Sequence, residues 1–193
     1  MSKLDGLNTA LARAAGRLAA VDLPARARLL GLETDGKTLR VRAFGKELSL
    51  DIATLAFGED VKPADRLLVL HYLEQSAPPV PTGELISFRD FPGGQFYYQP
   101  FLSRTAAPLV KRFGGDLAKL RQNLARFDWT PLALGDLGAC VHALGALRVA
   151  IVYHLGDDEF PPEADILFDA CVRRAFKAED AATLASRVCL GLL

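Results

Sequence analysis

Six carboxylates fall within fourteen residues, GDDEFPPEADILFD at 156–169, and no lysine or arginine stands among them. Asp157, Asp158, Glu159, Glu163, Asp165 and Asp169 offer the hard oxygen ligands that Mg2+ or Ca2+ takes. Two carboxylates held close together would also raise one pKa and create a general acid. His154 precedes the run by three residues, so an imidazole beside carboxylates adds an acid/base or metal pair to the candidates. The frame of an EF-hand is absent, and Pro161-Pro162 would break such a loop. The favoured reading is a hydrated bend: Gly156 ends a strand, the prolines stiffen the connection, residues 166–168 dip into the core, and Asp169 caps the next helix.

A second candidate is aromatic. Phe88, Phe91, Phe96, Tyr97, Tyr98 and Phe101 crowd a stretch rich in proline and glycine. They either plug the core beneath an ordered loop, the favoured reading, or line an apolar pocket with phenolic handles. Only Arg89 is interleaved with them, which argues against a stacking platform for RNA. A third candidate is basic: Arg104, Lys111, Arg112, Lys119, Arg121 and Arg126 face the single acid Asp116. Such a strip suits an anionic ligand or the acidic segment of a partner copy, and more commonly is the wet side of a helix. His71 and His142 stand isolated and read as hydrogen-bonded, half-buried residues. No nucleophile elbow, P-loop or dinucleotide fingerprint is present.

These groups must be positioned by ordinary elements. Leu4, Leu7, Leu11, Ala15 and Leu18 recur at helical spacing and predict a first helix ending before Pro24. Residues 26–52 read as a three-stranded antiparallel meander, with Asp35-Gly36 as a type I′ turn and Gly45-Lys46 as a weaker second turn. A helix opens at Pro63 and runs to about Gln75, and residues 85–88 form a short strand. An apolar stripe from Leu102 to Phe127 predicts two helices broken at Gly114-Gly115. WTPLAL and LRVAIVYH resume strand character, the second as a central strand, and a last helix starts near Ala178.

Composition narrows the function classes. A chain of 193 residues, half hydrophobic, suits one α+β domain in which an antiparallel sheet packs against a layer of helices. Formal net charge is zero, so no overall field draws it to nucleic acid or anionic lipid. Cys140, Cys171 and Cys189 are unpaired in number and set among apolar neighbours, the usage of a reducing cytoplasm. Arginines interrupt the apolar N-terminus, which excludes a signal peptide, and no run reaches the length of a membrane span.

The set HYLEQS, PTGELISFRDFPGG, the GD at 135–136, GDDEFPPEADILFD and FKAED resembles the family known as domain of unknown function 3786, over residues 65–185 of a family-like portion taken as 61–193. The resemblance implies anaerobic bacteria and archaea, relatives fused to a small iron–sulfur module, and a role near anaerobic redox or one-carbon metabolism. The module itself is absent from this chain. Its motif residues include Thr82-Gly83-Glu84, Phe88 and Leu167-Phe168-Asp169, which fall on the two segments already singled out. The residues assigned to ligand binding are Glu84, Phe88, Arg89, Phe96, Tyr97, Tyr98, His154, Asp157, Glu159 and Asp169; none is assigned as catalytic or as a metal ligand, and no cofactor is named. The expectation is a binding or accessory module for a small molecule or a redox partner protein, its aromatic loop and acidic turn meeting on one surface. The alternative is a metal-assisted or carboxylate-driven hydrolase using His154, Asp157 and Glu159. Oligomeric state is left open.

Overall fold

A computed structural model describes the backbone of residues 3–193 and the side chains from Asp5 onward. The expectation for the Leu4 side chain lies outside the described residues. Helix α1 (Lys3–Leu18) is followed by α2 (Leu23–Leu29). The second helix overturns the strand expected at residues 26–33. Asp22 caps it by accepting from the Ala25 amide at 3.0 Å, Pro24 fits its first turn, and Leu23, Ala27 and Leu30 are buried at helical spacing.

The meander keeps three strands, β1 (Glu33–Thr34), β2 (Thr38–Ala43) and β3 (Lys46–Asp51), although the first is only two residues long. The turns exchange character. Phe44 and Gly45 both have positive φ, 53° and 74°, and join the paired residues Ala43 and Lys46, as a type I′ turn requires. At Asp35-Gly36 only the glycine has positive φ; the Asp35 carboxylate builds the turn by accepting from the amides of Lys37 and Thr38.

Helix α3 (Pro63–Leu73) and strand β4 (Leu85–Ser87) form where expected. The apolar stripe that follows folds as three helices and not two: α4 (Tyr98–Arg104), α5 (Ala106–Phe113) and α6 (Leu117–Leu124). The extra break falls at Thr105, which leaves helical geometry (φ −126°, ψ −84°) and turns its buried hydroxyl back onto the Phe101 carbonyl at 2.7 Å. Beyond them lie β5 (Trp129–Leu132), β6 (Leu137–Leu144), β7 (Leu147–His154), β8 (Glu163–Asp169), α7 (Cys171–Ala175) and α8 (Ala178–Leu192). Strands β6 and β8 have no counterpart in the sequence reading. β6 is built from small and apolar residues without alternation, because both its faces are buried.

The result is the α+β architecture expected. Every strand pairing is antiparallel, the order is β1-β2-β6-β7-β8-β4, and β3 and β5 add to β2 and β6. Leu147, Val149, Ile151 and Tyr153 of β7 are wholly buried in the core that the helices complete, while Arg148, Ala150, Val152 and His154 take the opposite face. Among the described residues no helix is long and apolar enough to cross a membrane.

Two ion pairs tie α3 to α8. One joins His71 Nδ1 to Asp180 Oδ2 at 3.0 Å. The hydrogen bond to Asp180 raises the His71 pKa above its usual 6.5, against the opposing effect of burial. A raised folded-state pKa makes the stabilisation complete below 6.5 and removes it as pH rises through the higher value. Urea midpoints measured from about pH 6 to about pH 9 should therefore fall, and Asp180→Asn should flatten that fall.

Candidate functional site

The β7–β8 hairpin carries the acidic segment. Its turn is drawn tight by Gly156, where an added Cβ would stand 2.6 Å from the Phe160 carbonyl and 2.7 Å from the Pro162 nitrogen. The Asp157 amide donates to the Phe160 carbonyl at 2.9 Å. Asp157 Oδ1 in turn accepts from the amides of Glu159 (2.9 Å) and Phe160 (2.8 Å), an Asx turn. Those bonds, that from Phe160 foremost, hold the Asp157 carboxyl below the usual carboxylate range. Asp158 and Glu159 stand in water. Phe160 is 65% exposed at the tip. An open depression of about 420 Å3 runs along this turn, bounded by residues 156–162 and by Gly115 across from it. Gly156→Ala should open the hairpin and cost about 1–3 kcal/mol, read as a lower denaturation midpoint with the core's far-ultraviolet spectrum retained.

His154 is exposed on the last position of β7, and the ladder sets it opposite Glu163. A second carboxylate, Asp136 of the β5–β6 turn, accepts from the neighbouring Leu155 amide at 2.7 Å. No hydrogen bond or ion pair joins His154 to Asp157 or Glu159. Among the described residues no group of three His, Cys, Asp or Glu side chains is placed to hold a metal ion.

Asp169 belongs to the same run of sequence and to the opposite end of β8. Strand β8 separates it from the acidic turn by about 20 Å at about 3.3 Å per residue. There the carboxylate is 3% exposed and accepts from the amides of Thr82 (2.9 Å), Gly83 (2.8 Å) and Cys171 (2.9 Å) and from the Thr82 hydroxyl. Burial works to raise its pKa, but the hydrogen bonds from Cys171, Thr82 and Gly83 outweigh it and leave the value at about 2. The Cys171 thiol is pushed the other way, up to about 12, by burial and by its hydrogen bond to Asp169. A thiol so held is inert near neutrality. Asp169 thus closes the loop before β4 onto β8; Glu84 beside it takes part through its backbone, its carbonyl accepting from the Ala170 amide and its own amide donating to the Thr82 hydroxyl, while its side chain is exposed.

A protein-family model described as Domain of unknown function (DUF3786) matches residues 22–190. The chain belongs to that family. No curated protein and no solved structure matches it. The match reaches well upstream of the quoted motifs, into α2 and the meander, consistent with a sheet in which β2 pairs β6.

In this DUF3786 chain the aromatic segment divides. Phe88 and Phe101 stack with ring centroids 4.2 Å apart, and Phe91 meets Phe168 edge-on at 5.1 Å, so these residues plug the core as favoured. Phe88 is 2% exposed and offers no free ring face. Phe96 and Tyr97 stand out in water at 78% and 64% exposure. Their turn is fixed by Gly94, whose Cα sits against the Phe88 carbonyl with no room for a Cβ. Arg89 stacks its guanidinium over the Tyr98 ring at 4.0 Å, a cation–π contact that occupies both side chains. Among the described residues no hydrogen bond, ion pair or ring contact joins this segment to the acidic turn. Leu134, Leu155 and Phe160 are exposed apolar groups near that turn that the sequence reading left out of the site, and the aromatic wedged between Glu159 and Pro161 was the signal for the last.

Proposed function

We infer that this protein is a non-catalytic binding or accessory module of the cytoplasm, recognising a small ligand or a redox partner protein in anaerobic redox or one-carbon metabolism. One observation carries the reading: Phe96, Tyr97 and Phe160 are held in water on turns that hydrogen bonds and glycines fix. Exposed aromatics on ordered turns are the usual anchors of recognition surfaces, since little rotamer freedom remains to be lost on binding. The carboxylates support it from the other side. Asp157 is occupied by backbone amides of its own turn and Asp169 by those of the loop before β4 and of Cys171, while Asp158 and Glu159 are exposed.

A thermal-shift screen with divalent cations, corrinoids and nucleotides tests the reading, because a molecule that binds only the native state raises its melting point. The expected result is a saturable rise with an organic probe that Phe96→Ser, Tyr97→Ser or Phe160→Ser removes while leaving the unliganded melting point within a few degrees. A rise produced by divalent cations alone, and removed by Asp157→Asn, would contradict it.

A further inference from the structure

The face of the sheet turned away from the core carries an apolar strip of its own. Cys140, Ala150 and Val152 are buried yet lie outside the core cluster, and the half-buried Leu85, Leu132 and Leu167 do not pack against that cluster either. Register sets them side by side across five strands: Leu167 faces Ala150, Ala150 faces Cys140, and Val152 and Leu132 flank Gly138. Leu85 follows on β4, opposite Asp169. Charge is graded along the strands. At one end stands Arg148, opposite His142, with Arg174 of α7 near the same Cys171 thiol. At the other end stand Asp165 and Glu163, and beyond them Asp158 and Glu159. Among the described residues none of Arg148, Arg174, Asp165, Glu163, Asp158 or Glu159 takes part in an ion pair.

We propose that this face is the interface of a homodimer. Two copies stack sheet on sheet about a twofold axis that crosses the strands, with the Arg148 end of each over the Asp165–Glu163 end of the other. A second copy is the occupant that the charge pattern selects: a twofold rotation brings a graded face onto its own complement, and residue i of one copy then meets residue j of the other reciprocally. Shape agrees, since the small residues Cys140 and Ala150 sit side by side on this face, and stacked sheets pack about 10 Å apart. Five strands at about 4.8 Å and about 20 Å of strand length give a footprint of about 480 Å2 per copy, at the small end for specific interfaces. The dimer is therefore weak and concentration-dependent. It is independent of the ligand-binding reading above.

Sedimentation equilibrium of the full chain, from about 5 µM to about 500 µM, reads it directly. The expected result is a reversible monomer–dimer equilibrium that added salt weakens. Leu167→Asp should raise the dissociation constant at least about tenfold. Arg148→Glu and Asp165→Lys should each weaken the dimer, and the two together should restore it, because the inverted gradient is again its own complement. These two positions lie outside the core, so the charge variants stay informative if Leu167→Asp fails to fold. A monomer at every concentration would overturn the proposal, as would a dimer indifferent to the single charge changes or a double variant as weak as either single one.

Discussion

Asp169→Ala is expected to lower the unfolding free energy by about 4 kcal/mol. The substitution leaves the amides of Thr82, Gly83 and Cys171 facing a site that is 3% exposed. Each unsatisfied buried donor costs about 1–3 kcal/mol, and bonds to a charged acceptor are the stronger kind. Part of the loss is electrostatic and can be separated by pH. A carboxylate whose folded-state pKa is about 2 against an ordinary 3.8 contributes stability that is present above the ordinary value and disappears as pH falls through 2. That linkage amounts to about 2 kcal/mol. Denaturant unfolding at neutral pH and at about pH 2.5 should therefore show the gap between wild type and Asp169→Asn narrowing in acid. The reason for so large an effect is positional: this one side chain ties the loop before β4, the end of β8 and the start of α7 into one corner.

Arg187→Met should cost about 3–5 kcal/mol, because it strands Asp65. The Arg187 guanidinium meets both carboxylate oxygens of Asp65, one through Nε and the other through Nη2 at 2.8 Å, and the two side chains are 17% and 8% exposed. The guanidinium also lies 5.5 Å from the centre of the Phe44 ring. The pair joins the first turn of α3 to α8, so its loss loosens two helices of the core layer at once. Removing both charges should be far milder: Asp65→Leu with Arg187→Met is expected to recover most of the loss, since a desolvated pair is replaced by apolar volume. A double-mutant cycle on thermal unfolding measures the difference.

Helix α8 and strands β2 and β3 were legible in the sequence because each has one wet face and carries a period that its burial reproduces. Strand β7 was legible as an unbroken apolar, β-branched run, and α3 by the proline at its start. Helix α2 was hidden by Arg26 and Arg28, whose alternation with small and apolar residues imitates a strand, while Asp22 and Pro24 were the cap signals that decide for a helix. Strand β6 gave no period because small and apolar residues stand on both its faces. Strand β8 was masked by its own charges: Glu163 and Asp165 alternate with Ala164 and Ile166 as a strand with one wet face should, but within a run of carboxylates they pass for more loop. The candidate site suffered in the same way. Asp157 and Asp169 share fourteen residues of chain and no common surface, because an extended strand separates them. Asp65 and Arg187 lie 122 positions apart, and no local pattern could have joined them.

The central claim is that the carboxylates after β7 shape a turn and stay hydrated, each acting alone. Calorimetric titration of the wild-type chain with Mg2+, Ca2+ and Mn2+ addresses it most directly. The expected result is heat of dilution only, unchanged by Asp157→Asn or Glu159→Gln. Saturable binding of one cation per chain, lost in those variants, would contradict it and would return the segment to metal-assisted chemistry.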